Sequence, residues 1–433
     1  MTYRVNKVNS WNGWDPLKQV ILGNVFTPEF FEDLPDTRIR DSLQQLLYET
    51  HEDLDNIQKT LEGLGVDVVR CHPNATQYSH LYEQSDTTHT PKTIMEWVDK
   101  QDGIHFYGAV PKPCLSPRDF FIVLGNKMLS TQNMGGLDEL LTEPGQRMIN
   151  PDCVDLRLTN AFNSAFSKKD RDIEELKNTK FTGPFNPRKE YIERKNLGPN
   201  FSFDWFDDGT NHMAYMNHYA NFRRAMHLSY SFWAPQITRV GDTLIVDTEE
   251  ISNLDSAILE MYPEFKSANT AIGGHNDGSF NLPKPGLCIA APWVDKERFK
   301  NTLPGWDILR IDTPKQMTGD WGTWHDLKHH TNGKWWMPGM EQKENSMVKE
   351  FIDQWLNKWV GYAEETVFEV NMLSVDENTI ISLNYQEECH KKLREHGIEP
   401  IYCRFRHRNF WDAGLHCLTV DTVREGGMQN YFD

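Results

Sequence analysis

Short apolar runs alternate with amphipathic stretches along the chain. Residues 17–23 and 66–69 are apolar runs rich in β-branched side chains. Between them, residues 41–64 carry leucine and isoleucine near a 3.6-residue period, which is typical of an α-helix with one buried face. Gly65 ends this helix, because glycine readily adopts the backbone conformation that follows a helix. The pattern predicts a strand, a helix and a second strand.

The same plan recurs further along the chain. Similar patterns predict strands at 120–125, 243–246, 287–290 and 379–383, and helices at 346–359 and 386–396. Alternation of strands and helices predicts an α/β fold, but periodicity alone does not give the strand order. No low-complexity linker divides residues 1–433, so we expect a single domain.

Composition narrows the classes of function. The chain carries 45 lysine and arginine residues against 63 aspartate and glutamate residues, a formal net charge of -18. A protein with this net negative charge repels the phosphate backbone of nucleic acids, so we expect no nucleic-acid partner. The sequence contains no run of about eighteen apolar residues and does not begin with a signal-peptide core, so we expect a cytoplasmic protein with no membrane partner.

The cysteine and histidine patterns argue against a metal centre. The 7 cysteines are scattered and form no Cys-x-x-Cys pair, so we expect reduced thiols with neither a disulfide framework nor a structural zinc. His325 and His329 could share a helical face with Asp326 nearby, and that spacing also suits a metal ion. Aromatic-rich tracts of this kind more often pack or lie on the surface, and we expect no metal.

Cys417 is the candidate nucleophile. A cysteine beside a strand is usually a small core side chain. Here a loop containing Gly414 precedes the cysteine, and an apolar strand follows, so the thiol can be presented at the strand mouth. Strand alternation would place Cys417, Thr419 and Asp421 on one face.

A histidine and two aspartates are candidates to act with this thiol. His275 and Asp277 lie two residues apart and would point the same way on an extended segment. Asp119 precedes a predicted strand, with Arg118 as its expected neutralising partner, although an aspartate there is often only a turn residue. Carboxylates hold a flat guanidinium, thiolate attacks its carbon, and histidine protonates the departing amine. The set suits guanidinium chemistry.

Six ordered sequence blocks resemble the amidinotransferase family of guanidino-group-modifying enzymes. They run nearly end to end, at 11–23, 116–126, 275–280, 371–377, 414–421 and 427–433. The resemblance implies a five-bladed α/β-propeller, or pentein, built of ββαβ modules around a narrow active site. It also implies transfer of an amidino group from arginine or a related guanidine to an amine through a covalent amidino-cysteine. Neither metal nor organic cofactor is implied, and relatives are often homodimers.

The resemblance also assigns roles to individual residues. It implies that Cys417 is the nucleophile and His275 the general acid and base. Asp119 and Asp277 would be the carboxylates that bind the guanidinium N–H groups. Gln236 stands where relatives carry an acid or an amide, so it is expected to bond the substrate.

Two positions depart from the family pattern. Trp233 falls where most relatives carry a third catalytic aspartate, and an indole cannot orient a histidine as a carboxylate does. Either His275 is poorly oriented, or another acid such as Asp204, Asp207 or Asp208 serves instead. Glu364 and Glu365 fall where relatives carry two serines that help to bind the donor. Two acids there favour a substrate with a positively charged end.

Two other functions remain open. The same thiol, histidine and carboxylates also serve guanidine hydrolases, in which water attacks the intermediate, and an open site favours that outcome. A non-catalytic binding protein that retains the fold is the third interpretation, and Trp233 supports it. The presence of both Cys417 and His275 counts against a purely binding role.

Overall fold

The computed structural model places fourteen strands within the part of the chain that it describes. The described residues are 8–71, 73, 93–96, 110, 112–119, 121–130, 234–248, 254–270, 275–292, 294–311, 346–356, 359, 370–411 and 413–432. The strands in this part are β1 (Leu17–Leu22), β2 (Asp67–Arg70), β3 (Phe121–Leu124), β4 (Lys127–Ser130), β5 (Ile237–Val240), β6 (Thr243–Asp247), β7 (Lys266–Thr270), β8 (Phe280–Lys284), β9 (Leu287–Ala290), β10 (Asp307–Arg310), β11 (Leu373–Asp376), β12 (Thr379–Ser382), β13 (Glu399–Tyr402) and β14 (Thr419–Arg424).

Helices connect many of these strands. The described α-helices are α1 (Thr37–Gly63), α2 (Leu254–Met261), α3 (Asn276–Ser279), α4 (Lys296–Thr302), α5 (Ser346–Trp355), α6 (Glu387–Glu395) and α7 (Arg408–Trp411). Short 3-10 turns lie at Pro28–Phe31, Pro117–Asp119 and Ala234–Gln236. Helix α1 begins where the Asp36 carboxylate accepts a hydrogen bond from the backbone N–H of Arg38, at 2.9 Å. Such a cap satisfies one of the N–H groups that a helix start leaves unpaired.

The described strands form five small sheets with a recurring plan. In the sheet β5-β6-β7, the first two strands are antiparallel and the last two parallel, with α2 between the parallel strands. The sheets β8-β9-β10 and β11-β12-β13 repeat this plan with α4 and α6. Strand β14 pairs antiparallel with β1, which pairs parallel with β2. The sheet β3-β4 is an antiparallel pair. The fold is mixed α/β.

Local sequence patterns predicted most of these elements. The predicted strand 287–290 is confirmed as β9, and the other predicted strands agree to within one residue at each end. Helix α1 starts four residues earlier than expected, at Thr37. Its six periodic apolar side chains are all buried, namely Leu43, Leu46, Leu47, Leu54, Ile57 and Leu61. Helix α5 ends at Trp355, before the predicted end at 359.

Two local predictions near the proposed chemistry were wrong. Strand β14 begins at Thr419, so Cys417 lies in the preceding turn and does not share a strand face with Asp421. Residues 276–279 form one helical turn instead of an extended segment, so the two-residue alternation expected for His275 and Asp277 does not apply. Within the described helices, none combines the length and apolar character needed to cross a bilayer.

The protein should become less stable as the pH falls from 7.5 to 5.5. Burial lowers the pKa of several histidines below the usual value of 6.5, namely His51, His390, His407 and His416. Below about pH 6.5 the unfolded chain therefore binds more protons than the folded chain, and unfolding becomes more favourable. Urea unfolding followed by circular dichroism should give a lower midpoint at pH 5.5 than at 7.5. Equal midpoints would contradict the expectation.

Candidate active site

Cys417 lies in a turn that joins α7 to β14. The turn is closed by a hydrogen bond of 2.8 Å from the Thr419 hydroxyl to the Leu415 carbonyl, and by one of 3.1 Å from the Leu418 N–H to the Gly414 carbonyl. The cysteine side chain is buried, with 1% of its surface exposed. The turn, not a strand face, therefore fixes where the thiol points.

Asn371 fixes both the backbone and the sulfur of Cys417. Its Oδ1 accepts a hydrogen bond of 3.0 Å from the Cys417 N–H, and its Nδ2 donates to Sγ at 3.1 Å. The same Nδ2 donates to the Asp277 carbonyl at 3.2 Å. Gly414 permits this approach, because a Cβ there would lie 2.3 Å from the Cβ of Asn371. Sequence analysis did not identify Asn371 as a site residue.

The Asp277 carboxylate lies directly against the thiol. Its Oδ2 accepts a hydrogen bond from Cys417 Sγ at 3.4 Å and another from His416 Nδ1 at 2.6 Å. Its Oδ1 accepts no hydrogen bond from the described residues. Burial alone would raise the pKa of Asp277, but the hydrogen bond from His416, the charges of His416 and His275 when these rings are protonated, and the charge of Arg118 outweigh burial and lower it. Asp277 is therefore an anion whose Oδ1 is buried and has no hydrogen-bond donor among the described residues.

His416 presents an oriented imidazole. Burial and the nearby charge of Arg118 lower its pKa, so the ring is neutral at pH 7. Because a carboxylate can only accept a hydrogen bond, Nδ1 carries the hydrogen and Nε2 is the proton acceptor. The side chain is 23% exposed and lines a cavity. Sequence analysis placed no role on His416.

A cavity open to solvent adjoins this group. It encloses about 510 Å³, including the solvent at its mouth. Asp277, His416 and Arg118 form one part of its wall, and the backbone near Gly13 and the start of β11 at Ser374 form another. A buried carboxylate and an imidazole thus both line the cavity.

His275 immediately precedes helix α3 and is half-buried. Its positive charge, when it is protonated, lowers the pKa of Asp277, so the two side chains are electrostatic neighbours. His275 thus acts on the charge of Asp277. Its role in proton transfer stays a prediction.

Asp119 ends the Pro117–Asp119 turn and is half-buried. The turn packs on the cysteine, since the Arg118 N–H donates to the Cys417 carbonyl at 3.3 Å. Arg118 was expected to neutralise Asp119, but its guanidinium pairs with Asp421 at 2.6 Å. That expectation was wrong, because the carboxylate of β14 offers a fully buried partner.

Gln236 is fully buried in the Ala234–Gln236 turn, next to helix α3. Its carbonyl accepts a hydrogen bond of 3.0 Å from Asn276 Nδ2, so the turn is tied to the segment that carries Asp277. Trp233, Glu364 and Glu365 lie outside the described residues, and so does the tract with His325, Asp326 and His329. In the part of the chain that is described, no group of His, Cys, Asp and Glu is arranged to hold a metal ion.

A buried cluster of ion pairs lies next to the cysteine turn. The Asp421 carboxylate accepts hydrogen bonds from Arg118 at 2.6 Å, Arg239 at 2.7 Å and Arg424 at 2.6 Å, and from the Ser10 hydroxyl at 3.1 Å. Burial alone would raise the pKa of Asp421, but the three arginine charges hold it well below its usual value. Arg118 also donates to the Thr419 carbonyl at 2.9 Å, and so links the cluster to the end of the cysteine turn.

Known proteins with similar sequences are amidinotransferases. No protein-family model matches the chain. It is 27% identical over 212 residues to the mitochondrial glycine amidinotransferase of Xenopus laevis, covering 46% of this chain and 40% of that enzyme. It is 32% identical over 75 residues to the L-arginine:L-lysine amidinotransferase of Pseudomonas savastanoi pv. phaseolicola, covering 17% of this chain and 18% of that enzyme. The alignments thus span less than half of either relative's length.

The fold is similar to that of a solved amidinotransferase structure. An amidinotransferase from Microseira wollei in the saxitoxin biosynthetic pathway superimposes with a TM-score of 0.52 at 19% identity, covering 99% of this chain and 100% of that one. At such low identity the match concerns the fold alone. The chain is thus similar in part of its sequence to two amidinotransferases, and in its fold to a third.

Proposed function

We propose that the protein is an amidinotransferase that moves an amidino group from arginine or a related guanidine to an amine acceptor through Cys417. The observation that supports this most is the contact between the Cys417 thiol and the buried Asp277 carboxylate. Asp277 Oδ1 has no hydrogen-bond donor among the described residues, and the side chain lines the cavity. A planar cation with several N–H donors fits that arrangement.

The first half of the reaction forms a covalent intermediate. The Cys417 thiolate attacks the guanidinium carbon, and the C–N bond to the donor amine breaks. The departing nitrogen takes a proton from His275, as expected from the family pattern. Asp277 and Asp119 hold the remaining N–H groups. Asn371 Nδ2 donates to the sulfur and stabilises its anionic form.

The second half transfers the amidino group. An acceptor amine attacks the amidino carbon, gives up a proton to the histidine, and displaces the Cys417 thiolate. Reaction with water in place of the amine would give a hydrolase, and the open mouth of the cavity favours that second candidate. The pair Glu364 and Glu365 supports a donor or acceptor with a positively charged end.

The architecture that accompanies this function is a five-bladed α/β-propeller formed by residues 1–433 as one domain. Three described sheets repeat the order expected of a ββαβ module. The cavity is lined from several of these modules, as a central site would be. We further propose a cytoplasmic homodimer that acts on small molecules and binds neither nucleic acid nor membrane.

The test is transfer from arginine labelled at the guanidino carbon. The protein is incubated with labelled arginine and a mixture of glycine, diamines and amino sugars, and products are identified by mass spectrometry. A labelled guanidino product that is absent with Cys417→Ala supports transfer and names the acceptor. Labelled urea or citrulline would make the protein a hydrolase. No transfer and no adduct on Cys417, from arginine or from agmatine, would overturn both.

A further inference from the structure

We propose that His416 is a positioning residue, which holds Asp277 against Cys417 and offsets the negative charge beside the thiol. Sequence analysis gave all the histidine chemistry to His275. This inference rests on the proposed function, since it concerns how the proposed nucleophile is prepared. In this proposal Asp277 and His416 form a carboxylate–imidazole pair beside the nucleophile.

His416 and Cys417 contact the same oxygen of the Asp277 carboxylate. His416 Nδ1 donates to Asp277 Oδ2 at 2.6 Å, and Cys417 Sγ contacts the same Oδ2 at 3.4 Å. The His416 N–H also donates to the Asn371 carbonyl at 3.3 Å, so the backbone of the histidine is held by the residue that contacts the sulfur. The Asp277 carboxylate therefore joins the imidazole of His416 to the thiol of Cys417.

Charge repulsion explains why the hydrogen bond from His416 to Asp277 matters for ionisation of the Cys417 thiol. A carboxylate within hydrogen-bond distance opposes formation of a thiolate, because two buried negative charges repel each other. The ring Nδ1–H of His416 draws negative charge on Asp277 away from the sulfur. Losing that bond would leave the carboxylate less compensated and would make the thiol harder to ionise.

Other charged side chains also act on the pair formed by Asp277 and His416. Arg118, on the Pro117–Asp119 turn, and His275, before α3, act on Asp277. Arg118 and Asp421, the latter on β14, act on His416. Arg239, on β5, also lines the cavity. The hydrogen bond from His416 Nδ1 to Oδ2 is the contact that removing the imidazole takes away.

The experiment measures the rate of Cys417 alkylation by iodoacetamide from pH 5.5 to 10, with the alkylated cysteine identified by mass spectrometry. His416→Leu removes the donor, and the midpoint of the rate profile should move up by about one pH unit, with alkylation at pH 7 slowed about tenfold. His416→Asn places an amide N–H close to the position of Nδ1, and should restore the rate at pH 7 to within about threefold of the original. An unchanged profile for His416→Leu would overturn the proposal.

A second comparison remains if His416→Leu does not fold. Gln is close in size to Asn but carries its amide near the position of Nε2, on the cavity side. His416→Gln should therefore behave like the leucine variant, while His416→Asn behaves like the original protein. Equal profiles for the two amide variants would overturn the proposal. Iodoacetamide is neutral and needs no amidino transfer, so a failure of the labelled-arginine test leaves this result independent.

Discussion

Replacing Asp421 with alanine should lower the free energy of unfolding by about 3–5 kcal/mol, or prevent folding altogether. Its carboxylate is the shared partner of Arg118, Arg239 and Arg424, and no more than 5% of any of the three arginine side chains is exposed. Without it, three guanidinium groups would remain buried at close range with no countercharge between them. Uncompensated buried charges of one sign are among the most destabilising features of a protein interior.

Urea unfolding followed by circular dichroism measures this loss. Glu425→Gln is a matched control, because Glu425 lies one residue beyond β14 and makes an exposed ion pair with Lys18 at 3.0 Å. That exposed pair should contribute no more than about 1 kcal/mol. If Asp421→Ala unfolds at the same urea concentration as the control, the ion pairs of Asp421 with Arg118 and Arg239 do not stabilise the fold.

The local spacing of apolar residues was sufficient to predict many of the helices and strands. The apolar period within 41–64 correctly gave both the existence and the buried face of α1, because those contacts depend on one helix face. The end of the helix near Gly65 also followed from local backbone preference. Strand order did not follow, because β14 pairs with β1 across almost the whole chain. Pairings at that distance leave no local pattern.

The candidate site was only partly accessible from sequence. Cys417, His275 and Asp277 were predicted to act together; the structure places Cys417 against Asp277, and the charge of His275 acts on Asp277. His416 was passed over although it is adjacent to Cys417, because its partner Asp277 lies 139 residues away. Arg118 was matched to its neighbour Asp119 when its partner is Asp421, 303 residues distant.

Asn371 shows why such residues escape notice. It lies in a sequence block that resembles the amidinotransferases, but an asparagine before a strand is usually a turn residue. Its contact with Cys417 depends on the absence of a side chain at Gly414, another long-range condition. Side chains that act through a third residue can be recognised only when all three are placed in space.

Replacing Asp277 with asparagine should reduce amidino transfer about 10³-fold while leaving the protein folded. The amide has almost the same shape and can still accept a hydrogen bond from His416 Nδ1. It carries no charge to hold a guanidinium, and with its oxygen toward His416 its NH₂ group would take the place of Oδ1 and face the cation. The loss should therefore concern cation binding and nucleophile preparation more than stability.

Two alkylating reagents separate these effects. Chloroacetamidine carries a positive charge like a guanidinium, whereas iodoacetamide is neutral. Asp277→Asn should lower the ratio of the chloroacetamidine rate to the iodoacetamide rate at least tenfold, because only the cationic reagent gains from the carboxylate. Asp376→Asn, at the end of β11, removes a carboxylate that bonds the Asn378 N–H at 2.8 Å, and should leave the ratio unchanged. If the ratio is also unchanged in Asp277→Asn, the carboxylate does not bind the cation, and a guanidinium must be held by Asp119 or by another acid.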